Sequence, residues 1–252
     1  MSVAPAPDRA RRHVAPGAAI ALSYQVVLRQ LTSRSRIIGL SLLALVAPIS
    51  AFALGSSDPS LDDSVRLIAG VGLGLVLPVV ALVFAGAAIG DLRDDKTLVY
   101  LWLRPMDRWP IVVGAALAAG TLAAPITIVP IVLAAILTGA GNGIVTATLL
   151  ATVVGLVGYV AVFTLFGVWL KRFIVWGLAY ILIWEGFIAQ AGAGVARVAL
   201  RKYTRSILVD RTGADLDLAD FSLAMAVITP AVVAVAAIAV ASWRLALSLI
   251  HI

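Results

Sequence analysis

The sequence predicts an all-α polytopic membrane protein with six transmembrane helices. It also predicts an N-terminal amphipathic interfacial helix, and an extracellular or re-entrant helical hairpin between spans 5 and 6. Three observations carry this. Of 252 residues, 62% are apolar and only 13% are charged, whereas a soluble domain is nearer half apolar and a quarter charged. The apolar residues fall into six runs, each close to the roughly 20 residues that one crossing needs. The basic residues gather on alternate connections, as they do on the cytoplasmic side of membrane proteins. A disordered chain, a collagen and a nucleic-acid binder are excluded by the same composition.

Residues 1–36 form a cytoplasmic tail and an amphipathic helix, and residues 37–252 a single six-span domain. The tail carries Arg9, Arg11, Arg12, Arg29, Arg34 and Arg36, with Pro5, Pro7 and Pro16 early in it. From Gly17 to Leu31, Ile20, Tyr24, Val27 and Leu31 recur at helical spacing and make one apolar face. Such a helix lies on the membrane surface.

Span 1 is Ile37–Leu54, eighteen residues without a charge. Residues 55–64 carry Asp58, Asp62 and Asp63 but no Lys or Arg, which fits an outside loop. Span 2 runs from Val65 to Gly90. Its Gly70/Gly74 and Gly86/Gly90 pairs either permit close helix approach or reflect the high glycine content. Span 3, Ile111–Leu137, contains Pro125 and Pro130. A tight turn at Gly139–Gly143 leads to span 4, Ile144–Leu170. Lys171-Arg172 turns the chain into span 5, Phe173–Ala189, the shortest of the six. A polar stretch, 190–221, precedes span 6, Ser222–Ala241.

With the N-terminus inside, the cytoplasmic side holds six basic residues of the N-terminal segment, four in 91–110, Lys171, Arg172 and Arg244. The outside holds Arg66 and five in 190–221. Trp169, Trp176 and Trp243 sit beside cytoplasmic charges, as an interfacial belt does. Both termini are therefore expected in the cytoplasm. The stretch 190–221 departs from the rule. In it Arg197, Arg201 and Arg205 recur every four residues, roughly opposite Ala196, Ala199, Tyr203 and Ile207. This predicts a second amphipathic helix, either in the outer interface or re-entrant. The other reading is that span 5 does not cross fully and the loop is cytoplasmic.

There is no cysteine, so disulfides, thiolate metal sites and cysteine nucleophiles are out. His13 and His251 lie near opposite termini, and no metal site is expected. A P-loop, HExxH and GxSxG are all absent. The chain reads as a non-catalytic membrane subunit that binds no cofactor of its own.

The most charged interior segment runs Gly90-Asp91-Leu92-Arg93-Asp94-Asp95-Lys96-Thr97-Leu98-Val99-Tyr100-Leu101-Trp102-Leu103-Arg104-Pro105-Met106-Asp107-Arg108-Trp109. Leu98, Leu101 and Trp102 share a face that can rest on the membrane end of the bundle. The acids, Arg93 and Lys96 are left for water or a partner. Arg104-Pro105 stops the helix, because proline lacks an amide donor.

This segment resembles the first cytoplasmic loop of ABC-2 type permeases, the membrane-spanning subunits of one class of ABC exporters. The matching features are the acids Asp91, Asp94 and Asp95, then Thr97-Leu98, Tyr100-Leu101, Arg104-Pro105, Arg108 and Gly114. Leu92 stands where a second acid is common, and Ala115 replaces the usual Lys. A second likeness is Trp184-Glu185-Gly186 in span 5, followed by Arg201-Lys202-Tyr203. In that family a re-entrant or extracellular hairpin precedes the last span there.

The resemblance implies a permease subunit in a bacterial cell membrane, paired with an identical or homologous permease. Two separate ATPase subunits would supply ATP and Mg. Residues Asp91, Arg93, Asp94, Asp95, Lys96, Thr97, Leu98, Leu101, Trp102 and Arg104 would couple to them. Lipids are the other partner; nucleic acid is not. The span residues are apolar with scattered Thr, which suits a lipophilic or amphipathic substrate, such as a drug or antibiotic. Glu185, beside Trp184, is the only acid within a span, and intramembrane charge is costly. It either bonds the backbone of the following hairpin or pairs with Arg197 or Arg201, or else contacts a cationic substrate. Two rival readings fit the chain without ATPases: an ion-coupled transporter or channel, and a non-transporting membrane scaffold.

Overall fold

The computed structural model describes residues 15–94, 107–187, 199–216 and 221–247. Every regular element among them is helical. In chain order these are α1 (Pro16–Leu31), α2 (Arg34–Gly55), α3 (Leu61–Arg93), α4 (Trp109–Leu137), α5 (Asn142–Trp169), α6 (Phe173–Glu185), α7 (Leu200–Thr212) and α8 (Leu223–Leu247). Five of them, α2, α3, α4, α5 and α8, are long and apolar enough to cross a membrane. Helices suit that role because each bonds its own backbone polar groups, which hydrocarbon cannot do.

Local chemistry sets the breaks. Pro48 cannot donate to the Ala44 carbonyl, and α2 loosens at Leu45 between its two halves. At the start of α3, Ser60 and Asp63 form a reciprocal cap: the Asp63 amide donates to Ser60 Oγ at 3.1 Å and the Ser60 amide to Asp63 at 3.3 Å. Wide π turns occupy Ile68–Val76 and Leu82–Gly86 of α3, on either side of Pro78. Gly139 and Gly141, at φ +70° and +93°, make the turn from α4 to α5 in a conformation that other residues resist.

Helices α3 and α5 form the centre of the bundle, and most of their residues are buried. Helices α2, α4 and α8 turn larger shares outward, including Ile38, Phe52, Val129 and Val235. A bilayer, not water, is the solvent that such an apolar surface fits. At one end of the bundle lie Arg36, Arg93, Arg108, Lys171, Arg172 and Arg244, called here the Arg93 end. At the other lie Asp58, Asp62, Asp63 and Asp215, the Asp62 end.

Glycine makes the tightest contacts. A Cβ on Gly86 or on Gly90 would collide with the Phe173 ring, and one on Gly167 with the Gly86 carbonyl. This pair is thus a packing surface where α3, α5 and α6 converge. Gly74 gives room to the Arg201 guanidinium, whose Nη2 would lie 2.7 Å from an added Cβ. Gly70 has no neighbour within 4 Å of that position, so its presence answers no contact.

Two elements differ from the sequence reading. Helix α1 buries Val27 and Leu31 of the predicted apolar face, but Ala19 and Ser23 in place of Ile20 and Tyr24. The reason is its neighbour: α1 crosses α4 at Gly114, where a Cβ would sit 2.7 Å from the Ser23 Cβ and 2.8 Å from the Ile20 carbonyl. Only small side chains fit that approach, so Ile20 and Tyr24 move to the flank. Helix α6 spans 13 residues and stops at Glu185, short of the predicted Phe173–Ala189. About 20 Å of helix does not cross a roughly 30 Å hydrocarbon core.

Candidate functional site

The end of α6 and the start of α7 meet in the middle third of the bundle, and Glu185 joins them. Its carboxylate is buried at 2% exposure. It accepts a hydrogen bond from the Tyr159 hydroxyl of α5. A second comes from the Tyr180 hydroxyl at 3.0 Å, and a third from the backbone N–H of Leu200, the first residue of α7. Tyr159 lies ten residues, about 15 Å, from the Trp169 end of α5.

Each partner has a structural cause. Tyr159 stacks on Phe163 with centroids 5.8 Å apart, and Tyr180 packs edge-on to Phe163 and Phe166. This aromatic cluster fixes both phenols toward one point. Ala199, the residue before α7, has no side chain able to cap it. The first amides of α7 therefore need an acceptor. Glu185 supplies one, and its negative charge opposes the positive end of the helix. The guanidinium of Arg201, in the same first turn, adds a favourable charge interaction with the carboxylate.

Helix α7 then runs from this point to the Asp62 end. Leu200 sits against Gly158, and the Thr204 methyl against Gly155. At the far end the Asp215 amide donates to Asp62 at 3.1 Å. The helix is enclosed: Lys202, Tyr203, Thr204, Ser206, Ile207 and Leu208 are all buried. Lys202 stands over the Phe221 ring, 4.8 Å from its centroid, and Phe221 stacks on Tyr203. The predicted helix around Arg201 and Arg205 exists, packed inside the bundle from its middle to one end. Arg197 lies outside the described residues.

Trp184, next to Glu185, borders a shallow groove of about 320 Å³ with Phe166, Trp176 and Tyr180. Its indole Nε1 is buried and has no hydrogen-bond partner among the described residues.

The second candidate region is the connection from α3 to α4. Asp91 accepts from Arg36 of α2 at 2.8 Å. Arg93 donates to the Val168 carbonyl at 3.2 Å and to the Leu170 carbonyl at 2.7 Å. It thereby caps the last turn of α5, whose carbonyls have no partner within the helix. Both side chains tie the base of the connection to neighbouring helices. The Asp94 side chain, and Asp95, Lys96, Thr97, Leu98, Leu101, Trp102 and Arg104, lie outside the described residues. No group of three or more His, Asp or Glu side chains converges among the described residues.

No family model matches the chain, and no curated protein matches it. The site is therefore read from its own geometry. Sequence reasoning assigned no role to Tyr159 or Tyr180. The available signal for Tyr159 was that it is the one phenol of span 4. Its partnership with Glu185, 26 positions away, has no local signature.

Proposed function

We propose that this chain is the membrane-spanning subunit of an ATP-driven exporter of the ABC-2 type. The resemblance of the Asp91–Arg108 segment and of Trp184-Glu185-Gly186 motivates the reading. The observation that carries it furthest is the anchoring of that segment's base. Asp91 holds the start of α2 through Arg36, and Arg93 holds the end of α5. A push on this connection reaches three crossing helices at once, which is what a coupling element requires.

In this reading the Arg93 end faces the cytoplasm of a bacterial cell, with both chain termini on that side. Two such subunits enclose a pathway, and two ATPase subunits dock on residues 91–104. Beside the five long helices, the fifth crossing in chain order is made by α6 and α7 together, joined at Glu185 and interrupted near mid-depth. Broken crossings are tolerated where the freed backbone is buried in protein, and Glu185 satisfies part of it here. The substrate is lipophilic or amphipathic. The ion-coupled alternative rests on Glu185; its three hydrogen bonds to this chain favour a structural acid instead.

Co-purification tests the proposal. The affinity-tagged chain from its native membrane is expected to bring a P-loop ATPase with it. Reversing Asp94 and Asp95 to Lys places repelling or unpaired charge at the contact, at a cost of several kcal/mol. The double variant should fold and lose the ATPase. Full retention of the ATPase, or none with the unaltered chain, refutes docking on this segment.

A further inference from the structure

Arg201 stands in the first turn of α7, in the middle third of the bundle, and is only partly buried. Its guanidinium sits against Gly74 of α3, where an added Cβ would lie 2.7 Å from Nη2 and 2.9 Å from Nε. That Nε is buried without a hydrogen-bond partner among the described residues. Glu185 attracts the guanidinium, but without a direct ion pair. The carboxylate is bonded instead by Tyr159, Tyr180 and the Leu200 N–H. The terminus of α7 is thus occupied, and the guanidinium is what remains to be satisfied. An arginine keeps its charge and offers five donors. At this depth such a charge marks a ligand or ion path.

The space beside it is open. Helix α3 runs from the Asp62 end to the Arg93 end, and α7 runs the opposite way. Gly70 and Gly74 share one face of α3, as Arg201 and Arg205 share one face of α7. Gly74 meets Arg201, so Gly70 falls at the level of Arg205, one turn nearer the Asp62 end. A Cβ on Gly70 meets nothing within 4 Å. Both glycines and both arginines are partly exposed. Glycine backbone on one side and positive charge on the other therefore border a recess. Leu75, beside Gly74, is exposed and makes the adjoining surface apolar.

Depth and charge select the occupant. A second copy of the chain brings no acid to this level, because Glu185 is the one acid within a span and is buried in its own chain. A bilayer phospholipid keeps its phosphate at the interface, about 15 Å from the bilayer centre, and so away from the first turn of α7. An anion that reaches Arg201 through hydrocarbon carries an apolar part of its own and a small head. A carboxylate fits, since its two oxygens match the guanidinium fork.

We propose that the recess between α3 and α7 binds an amphiphilic carboxylate, with its acid on the Arg201 guanidinium beside Gly70 and Gly74. Under the exporter reading this makes the cargo an anionic amphiphile. The binding itself does not depend on ATPases.

Quenching of tryptophan fluorescence by dibromostearate and by its methyl ester tests it, on the full chain in a neutral detergent. Trp184, next to Glu185, reports from near the site. The acid should bind roughly tenfold or more tightly than the ester, which forfeits hydrogen bonds between charged groups. Arg201→Gln should abolish that preference. Arg201→Lys keeps the charge without the fork and should retain part of it. Gly70→Leu fills the recess, so it should weaken the acid without lowering thermal stability. If Arg201→Gln does not fold, the acid-to-ester ratio and Gly70→Leu decide alone. Equal binding of acid and ester by the unaltered chain overturns the proposal, as does full acid binding by Gly70→Leu. Loss of the preference in chloride, compared with gluconate at equal ionic strength, overturns it too, since a small inorganic anion then holds the arginine. All of these are read on the chain alone, so failure to co-purify an ATPase removes the exporter reading and leaves this proposal standing.

Discussion

The carboxylate of Glu185 accepts the backbone N–H of Leu200, so the last residue of one short helix caps the first turn of the next. Neither α6 nor α7 is long enough to cross a membrane, and this bond joins them where a continuous helix would have been. With the Tyr159 and Tyr180 hydroxyls, the acid satisfies three donors.

Glu185 substitutions should separate hydrogen bonding from charge. Glu185→Ala leaves three donors without an acceptor, at about 1–3 kcal/mol for each one that is buried. Glu185→Gln keeps a carbonyl that accepts two of them. Thermal unfolding in detergent should therefore rank the chain, then Gln, then Ala, with the larger drop at Ala. Equal losses for Gln and Ala would mean that charge opposite Arg201 and the helix terminus dominates.

Arg93 should matter more than Arg36, although both make charged contacts at the same end. Arg93 bonds two orphan carbonyls of α5, and hydrogen bonds from a charged group contribute about 1.5–3 kcal/mol. The Arg36–Asp91 pair is partly open to solvent, at 23% and 30% exposure. Such pairs contribute about 1 kcal/mol or less. Denaturation of Arg93→Gln and Arg36→Gln side by side checks the order; a greater loss at Arg36 contradicts it.

Gly70 and Gly90 of α3 should behave oppositely. Gly70→Ala meets no neighbour and gains helix propensity of up to about 1 kcal/mol. Gly90→Ala drives a methyl into the Phe173 ring and should lower the melting temperature. Adding Phe173→Leu to Gly90→Ala should recover part of the loss, because the smaller side chain can withdraw. An additive pair would place the collision elsewhere.

The proposed orientation, with the Arg93 end towards the cytoplasm, makes a prediction about sidedness. The chain lacks cysteine, so single introduced thiols report without background. In intact cells Ser57→Cys, exposed near the Asp62 end, should react with an impermeant maleimide. Lys171→Cys, exposed at the Arg93 end, should react only after permeabilisation. The reverse pattern would invert the bundle and put residues 91–104 out of reach of any ATPase.

The sequence by itself determined the helical membrane class and most crossing boundaries. Ile37–Leu54 falls inside α2, Ile111–Leu137 coincides with α4 to within two residues, and Ile144–Leu170 does so with α5. These limits are legible because apolar runs and their Gly, Pro and charged punctuation act within a few residues. Only the tertiary structure decided the rest. Hydropathy averaged over a window carries α6 past Glu185, yet the helix ends there, where that acid finds Tyr159 26 positions back and Leu200 15 positions on. Asp91 and Arg93 look like solvated charges until Arg36 and the Leu170 carbonyl, 55 and 77 positions away, take them up. The buried face of α1 was set by Gly114 of another helix. A buried charge or a close backbone approach is satisfied by whatever the fold brings to it, and periodicity along one helix holds no record of that partner.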